Sequence, residues 1–369
     1  MNWPPRNCRV SASLATGQRP PFVILSVAKN LCRFFGLVRR RQRSFDKLRV
    51  TALVMLAGVL TPTLFAQLVI GVDSIGMTVG DMDRALEFYT NTLPFKVVSD
   101  KEMAGNDFEH LEGVFGARAR VVRLQLGDEF MELTDYLAPE GRPIPMDSRS
   151  NDEWFQHIAI IVSDMDKAYE QLRAHKVQQA STGPQTLPAW NKGAAGIRAF
   201  YFRDPDNHNL EVLWFPAGNG NPKWHTATDQ LFLGIDHTAI VIGDTEVSLR
   251  FYRDVLGFKV QGESENYGIE QEYLNNVFCA RLHITSIHAA AGPAIEFLEY
   301  MTPGDGRPYP PDSHANDVWH WQTKLITHNA VVAERKLLAG KVRFISPGLV
   351  GTALLVRDTD GHAVQLLQE

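Results

Sequence analysis

Cysteine is scarce in this chain. There are three in 369 residues, and two of them, Cys8 and Cys32, fall in the first 66 positions. Only Cys279 lies beyond, so the body has no internal disulfide framework available to it. No Gly-rich phosphate loop, Cys-x-x-Cys pair or Gly-x-Ser-x-Gly elbow occurs, which removes the usual anchors for phosphate cradles, dithiol chemistry and serine nucleophiles. Basic charge is also missing where a nucleic-acid surface would need it. Residues 1–66 hold 11 Lys and Arg and one acid, Asp46, leaving 26 basic against 41 acidic residues in the remainder, a net −15. An acidic body of this kind excludes an electrostatic nucleic-acid footprint. What is present is ordinary globular material, 44% hydrophobic and 21% charged, long enough for two or more cores.

The N-terminus reads as an address. Arg39, Arg40, Arg41, Arg43, Lys47 and Arg49 precede an apolar run over 50–60, followed by Thr-Pro-Thr-Leu-Phe-Ala66-Gln67. That order predicts a secretory signal over 1–66, cleaved near Ala66, and an exported, periplasmic protein with no stable membrane insertion after processing. Two other readings stay open. The uncharged stretch 50–70 could serve as an uncleaved anchor. Residues 1–45, which lack periodicity and caps, could be an upstream extension of a cytoplasmic protein.

Beyond the leader the chain repeats itself. Gly71-Val-Asp-Ser74-Ile-Gly-Met-Thr-Val-Gly-Asp81 aligns with Gly234-Ile-Asp-His237-Thr-Ala-Ile-Val-Ile-Gly-Asp244, and Leu86-Glu-Phe-Tyr89 with Leu249-Arg-Phe-Tyr252, both at an offset of 163. Gly141-Arg-Pro-Ile-Pro-Met-Asp-Ser148 returns as Gly306-Arg-Pro-Tyr-Pro-Pro-Asp-Ser313, now at 165. Each half divides again into a strand, a helix and further strands. In the first half, strand-like runs occupy 69–79, 120–126, 130–136, 155–162, 197–202 and 209–215, with helical spacing over 82–93 and 165–175. The predicted fold is α+β: four βαβββ modules from a tandem duplication, paired into two cupped mixed-sheet halves. These are 68–215 and 230–369, joined by a Gly- and Pro-containing linker, 216–229.

The most informative stretch is Arg203-Asp-Pro-Asp-Asn-His208-Asn-Leu-Glu211-Val-Leu-Trp214, an Asx-Pro turn running into an apolar strand that carries a carboxylate. Its counterpart is Arg357-Asp-Thr-Asp-Gly-His362-Ala-Val-Gln365-Leu-Leu. With His157-Ile-Ala-Ile-Ile-Val, His237-Thr-Ala-Ile-Val-Ile and the Phe-Tyr pairs at 88–89 and 251–252, the region 68–369 resembles the vicinal oxygen chelate superfamily of glyoxalase I, extradiol dioxygenases and bleomycin-resistance proteins. The resemblance implies metal ligands on the first and last strands of each module. Carried over by position, the first half offers Ser74, Glu132, His157 and Glu211, and the second His237, Glu296, Gln322 and Gln365. Ser74 departs from the family's usual His, Gln or Glu, and Gln365 from its usual Glu.

Oxygen donors with an imidazole suit a divalent ion such as Zn, Mn, Fe or Ni. Recurrence of Glu at 132 and 296, and of His at 157 and 237, argues against random solvent-facing positions. Carboxylate charge favours the first-half set: Glu132, His157 and Glu211 on one ion, Ser74 at an open position, and Ser74→His as a variant with tighter metal binding. The first-half loop with Pro184, Leu187, Pro188, Ala189 and Trp190 is longer by 11 residues and suited to cover a pocket. The implied activity is a glyoxalase-like lyase or isomerase on a small molecule with two neighbouring oxygens, Glu132 or Glu211 moving the proton of an enediolate-like species. Alternatives are a metal-free sequestering protein of the bleomycin-resistance kind and a ring-cleaving extradiol dioxygenase. The paired Arg118 and Arg281 read as strand-edge salt bridges, His208 and His362 as turn residues, and Arg142, Asp147, Arg307 and Asp312 as connector geometry.

Overall fold

The computed structural model describes residues 68–369; the leader and the expected cleavage point at Ala66 lie outside the described residues. The first module runs β1 (Val69–Val79), α1 (Met82–Glu87), β2 (Lys96–Ala104), α2 (Asn106–Glu112), β3 (Arg118–Leu126) and β4 (Glu129–Ala138). The second runs β5 (Gln156–Val162), α3 (Met165–Ala174), β6 (Gln178–Gln179), β7 (Gln185–Thr186), β8 (Arg198–Arg203) and β9 (Asn209–Trp214). In the third come β10 (Phe232–Ile242), α4 (Thr245–Leu249), β11 (Lys259–Tyr267), α5 (Ile269–Asn275), β12 (Arg281–His288) and β13 (Ala294–Thr302). The fourth holds β14 (Trp321–Thr327), α6 (Ala330–Ala339), β15 (Arg343–Phe344), β16 (Ala353–Arg357) and β17 (Ala363–Gln368).

Each module starts its first helix the same way. Asp81, Asp164, Asp244 and Asn329 accept hydrogen bonds from backbone N–H groups of the first turn, satisfying donors that a helix start leaves unpaired. The helix expected over 82–93 changes character at Phe88, where a wider π-helical turn runs to Thr92. It coincides with full burial of Tyr89, whose hydroxyl donates to Asp204 Oδ2 at 3.1 Å; Tyr252 makes the equivalent bond to Asp358 at 3.0 Å. Helices α2 and α5 had no capping signal in the sequence, because a glycine with positive φ, Gly105 or Gly268, precedes each.

Two sheets result, with strand orders β15-β16-β17-β14-β1-β4-β3-β2 and β11-β12-β13-β10-β5-β9-β8-β6. In every module the first and last long strands are parallel neighbours, as in β1 with β4 and β5 with β9. Modules join through antiparallel pairs of first strands, β1 with β14 and β5 with β10. The first sheet therefore combines modules one and four, and the second combines two and three. The sequence halves 68–215 and 230–369 each put one module into each sheet. What they share internally is a core: Ile75, Met77, Met82 and Tyr89 pack with Ile160, Met165, Leu172 and Phe200, and Ile240, Leu249 and Tyr252 with Leu325, Leu337 and Leu354.

The repeated connectors explain the crossing. Arg142 bonds Asp317 Oδ2 at 2.7 Å and Asp312 Oδ2 at 2.8 Å; its duplicate Arg307 bonds Asp152 Oδ2 at 2.6 Å and Asp147. Arg142 also covers the Trp319 ring, and Arg307 that of Trp154. The strands of chain meet so closely that a Cβ on Gly141 would lie 1.8 Å from Asn316 O, and one on Gly306 1.9 Å from Asn151 O. This reciprocal clasp carries the chain out of one sheet and into the other after β4 and again after β13.

Candidate metal centre

At the middle of the second sheet the order β13-β10-β5-β9 sets Glu296, His237, His157 and Glu211 on four adjacent strands. Register fixes the rest. Ala239 lies between His157 and Glu296, and Ala159 between His237 and Glu211. Directly paired residues share a face of the pleat, so all four side chains converge, with two alanines beneath them leaving room. His157 Nε2 is 3.2 Å from Glu211 Oε2, and His237 Nε2 is 3.7 Å from Glu211 Oε2 and 3.4 Å from Glu296 Oε2. His157, Glu211 and His237 form one cluster of potential ligand atoms within 4.8 Å of one another. Glu296 faces the cavity with its side chain 25% exposed, against 5% for Glu211.

The surroundings orient these groups. Asp236 takes a hydrogen bond from His237 Nδ1 at 3.1 Å and another from Trp224 Nε1 at 2.7 Å. The first leaves His237 Nε2 to face the carboxylates, an outer-shell arrangement typical of ligating imidazoles. His157 is fully buried, yet neither of its ring nitrogens makes a hydrogen bond of good geometry, an expensive state for a polar ring unless its lone pair has another use. Burial lowers the His157 pKa. Burial also opposes protonation of His237, but Glu296, Asp236 and Glu211 outweigh it and raise that pKa to about 9. Burial raises Glu296. Two carboxylates around two imidazoles thus attract positive charge, and the N₂O₂ donor set fits a divalent ion of the Zn, Mn, Fe or Ni type.

The cluster opens into a cavity of about 120 Å³ lined by Tyr201, Leu213, Ile284 and Leu298 beside the four donors. The long loop noted in the sequence covers it: Leu187, Gly193 and Ala194 form part of the wall, and Trp190 packs against Tyr267 in a tilted pair with ring centroids 4.2 Å apart. Ser264, Asn266 and Gln271 supply the remaining polar lining.

Ser74, Glu132, Gln322 and Gln365 occupy the equivalent place in the first sheet, in the same register. The expected grouping of Glu132 with His157 and Glu211 therefore does not form. Glu132 lies in a different sheet and pairs with Lys324, which stands where the other sheet has Ala159. Ser74 donates to Asp73 at 2.8 Å, and Asp73 is held by Arg123 at 2.7 and 2.9 Å. Gln322 Nε2 approaches Gln365 Oε1 at 3.5 Å. With the Lys324 ammonium paired to Glu132, this set carries its own cation at its centre. His157 and Glu211 instead meet His237 and Glu296, which the sequence reading had assigned to a separate, weaker set. Lys324 was missed altogether; the signal for it was the misfit of Lys324 against Ala159 at the repeat offset of 165. Asp236 was legible as the residue before His237, but nothing in the sequence marked its bond.

A family model described as Glyoxalase/Bleomycin resistance protein/Dioxygenase superfamily matches residues 71–212 and 234–366. A 2-epi-5-epi-valiolone epimerase from Actinomyces sp is 34% identical over 157 residues, covering 40% of this chain and 81% of that protein. Glyoxalase I of Saccharomyces cerevisiae is 27% identical over 203 residues, 52% of this chain and 57% of the yeast protein. Among solved structures, glyoxalase I from Zea mays matches with a TM-score of 0.54 at 17% identity, covering 81% of this chain and 92% of that one. A putative dioxygenase from Bacillus subtilis matches with a TM-score of 0.52 at 14% identity, covering 82% and 86%. At those identities the structural matches speak for the fold alone.

Proposed function

The chain belongs to the glyoxalase/bleomycin resistance protein/dioxygenase superfamily, and from that premise we propose that it is a divalent-metal-dependent isomerase or epimerase of a small α-hydroxy carbonyl compound. One observation carries the reading: two imidazoles and two carboxylates converge at the floor of a small cavity, and one imidazole is buried without hydrogen bonds. The similar epimerase and glyoxalase I support an isomerase class. A cavity of about 120 Å³ is well below the roughly 300–1,000 Å³ of pockets for drug-sized ligands, which favours a small substrate over a tripeptide adduct.

His157, Glu211, His237 and Glu296 would hold the ion, which when bound supplies Lewis-acid stabilisation of negative charge on two neighbouring substrate oxygens. The proton work falls to the carboxylates. Glu296, the more exposed of the two, accepts the proton as the substrate C–H bond breaks and its electron pair enters an enediolate. Glu211 stands on the opposite flank of the two imidazoles. Carrying a proton taken from solvent, it can deliver that proton from the other side and invert the carbon while Glu296 releases its own to solvent. Return of the proton from Glu296 to the neighbouring carbon moves the carbonyl instead. The second carboxylate also separates this set from a two-His, one-carboxylate oxygenase triad. The metal-free alternative drew on Ser74 and Gln365, which lie in the other sheet and so no longer weaken this donor set.

The test is metal content after loading with Zn, Mn, Fe or Ni, followed by deuterium incorporation from solvent into hydroxyacetone. We expect one ion per chain, and in Glu296→Gln at least a 100-fold slower exchange with metal retained. A protein that takes up none of the four ions, or a Glu296→Gln variant that exchanges at the wild-type rate, overturns the reading.

A further inference from the structure

The uncharged polar lining of the cavity forms one continuous chain of hydrogen bonds. Asn191, on the covering loop, donates to Asn266 Oδ1 at 2.6 Å, and Ser264 donates to the same oxygen at 3.0 Å. Asn266 Nδ2 donates to Gln271 Oε1 at 3.2 Å, Gln271 donates to Asn275, and Asn275 Nδ2 donates to Tyr300 at 2.6 Å. Asn266, Gln271 and Asn275 are all buried. Each amide NH₂ has two hydrogens and each amide oxygen two lone pairs. Asn266 and Gln271 therefore each keep one N–H free of the relay, and Gln271 keeps one acceptor site as well. Side by side in the cavity wall, these present donor and acceptor together, the pattern that complements a hydroxyl group.

The duplication supplies an internal control. In the first module, at the same offset of 163, the positions of Ser264, Asn266, Gln271 and Asn275 are held by Lys101, Met103, Phe108 and Glu112, on the equivalent elements β2 and α2. There Phe108 stacks on Tyr136. A βαβββ module thus forms with an apolar residue at both central positions, so the fold does not require buried amides, which cost free energy when imperfectly paired. The fourth module, which shares the first sheet, lacks the 11 residues of the covering loop and so has no counterpart to Asn191.

Charge narrows the class. Among the described residues no Lys or Arg lines the cavity; its charged side chains there are Glu211 and Glu296 beside the two imidazoles. A divalent ion at the four donors balances those two carboxylates and leaves no counter-charge for a phosphate or carboxylate farther out. Resting on the isomerase reading above, we infer that the substrate is a neutral polyhydroxylated ketone, whose hydroxyls beyond the reacting pair are read by Asn266 and Gln271. Asn191 makes the loop part of the same recognition device, since its amide donates to Asn266 at the head of the relay.

The experiment compares calorimetric binding of pentahydroxycyclohexanone, its monophosphate ester and hydroxyacetone to the metal-loaded protein and to Gln271→Leu and Asn266→Met, with folding checked by circular dichroism and metal content. Wild type should prefer the ring ketone over hydroxyacetone by about 100-fold, because a site built to bond hydroxyls discriminates strongly against ligands lacking them. Each variant should cut that preference at least tenfold with metal content unchanged. If Gln271→Leu fails to fold, Asn266→Met, which carries the residue of the equivalent first-module position, decides the matter. An unchanged preference in the folded variants, no wild-type preference, or a monophosphate bound as tightly as the ring ketone overturns the inference. Metal uptake and hydroxyacetone exchange without ring-ketone preference would sink this inference alone. Relay-dependent binding in a chain that takes up no metal would sink the isomerase reading and leave this one standing.

Discussion

The two sheets present the same backbone register around very different centres. In one, His157, Glu211, His237 and Glu296 stand over Ala159 and Ala239; in the other, Gln322, Gln365, Ser74 and Glu132 stand around Lys324 and Gly76. The side chains of Lys324 and Glu132 are only 12% and 15% exposed. Buried Glu112 lies close enough for Lys324 to lower its pKa against the larger upward effect of burial. A buried carboxylate needs a positive partner, and the two sheets meet that need in two ways: four donors suited to an outside cation, or a cation carried on the chain. The lesson is that the scaffold specifies where charge must be balanced, and side chains decide by what.

The sharpest way to break this contrast is His157→Ala against Gln322→Ala. Loss of an imidazole ligand should weaken metal binding by at least 100-fold, while the amide substitution should leave metal content and affinity unchanged; calorimetry on both variants measures it. Equal losses would show that the sheets are not differentiated as described. A constructive version follows. The combined variant Ser74→His, Lys324→Ala, Gln322→His and Gln365→Glu rebuilds the donor set over small residues and should raise stoichiometry from one ion per chain to two, whereas Ser74→His alone should leave it at one.

Lys324→Met should destabilise the protein by about 3 kcal/mol in urea unfolding, because it strands buried carboxylate charge. Adding Glu132→Gln should restore much of that loss. If Lys324→Met is neutral, the internal cation has no structural role.

The smallest effect belongs to the clasp. Arg142→Ala and Arg307→Ala should each cost about 1–2 kcal/mol, since each leaves a buried aspartate, Asp317 or Asp152, without its charged donor. Burial works to raise the Asp317 pKa, but its bonds to Arg142 and to backbone N–H groups hold it below 3.8. A depressed carboxyl pKa stabilises the fold above the unfolded value and ceases to do so as pH falls through the folded one. The gap between wild type and Arg142→Ala should therefore be full at neutral pH and shrink below about 3.8. A pH-independent gap would mean that the arginine acts through its stacking on Trp319.

Much of this was legible beforehand for identifiable reasons. Strands such as β1, β5 and β9 announced themselves by apolar runs and Asx turns, and the helices α1 and α3 by their apolar spacing. Glu211, Glu296, His157 and His237 were all named beforehand, because the family resemblance implies ligands at those positions and the repeat returns the same residue types there. Their partnership was not legible. Lys324, Asn266 and Gln271 drew no notice in the sequence, since nothing local says which side of a helix or strand will line a cavity.

The sequence by itself determined the duplication, the modules, and the places on each module where ligands can stand. Only the tertiary structure decided which modules share a sheet, and hence that His157 and Glu211 meet His237 and Glu296 instead of Glu132. The reason is physical. Each module offers its first strand as an open edge, and these edges carry the same backbone donors and acceptors in the same register. Pairing module one with two, or with four, satisfies the same hydrogen bonds locally. The choice is made far from those edges, where Arg142 and Arg307 lock the two connectors across each other and each sequence half closes its core between the sheets.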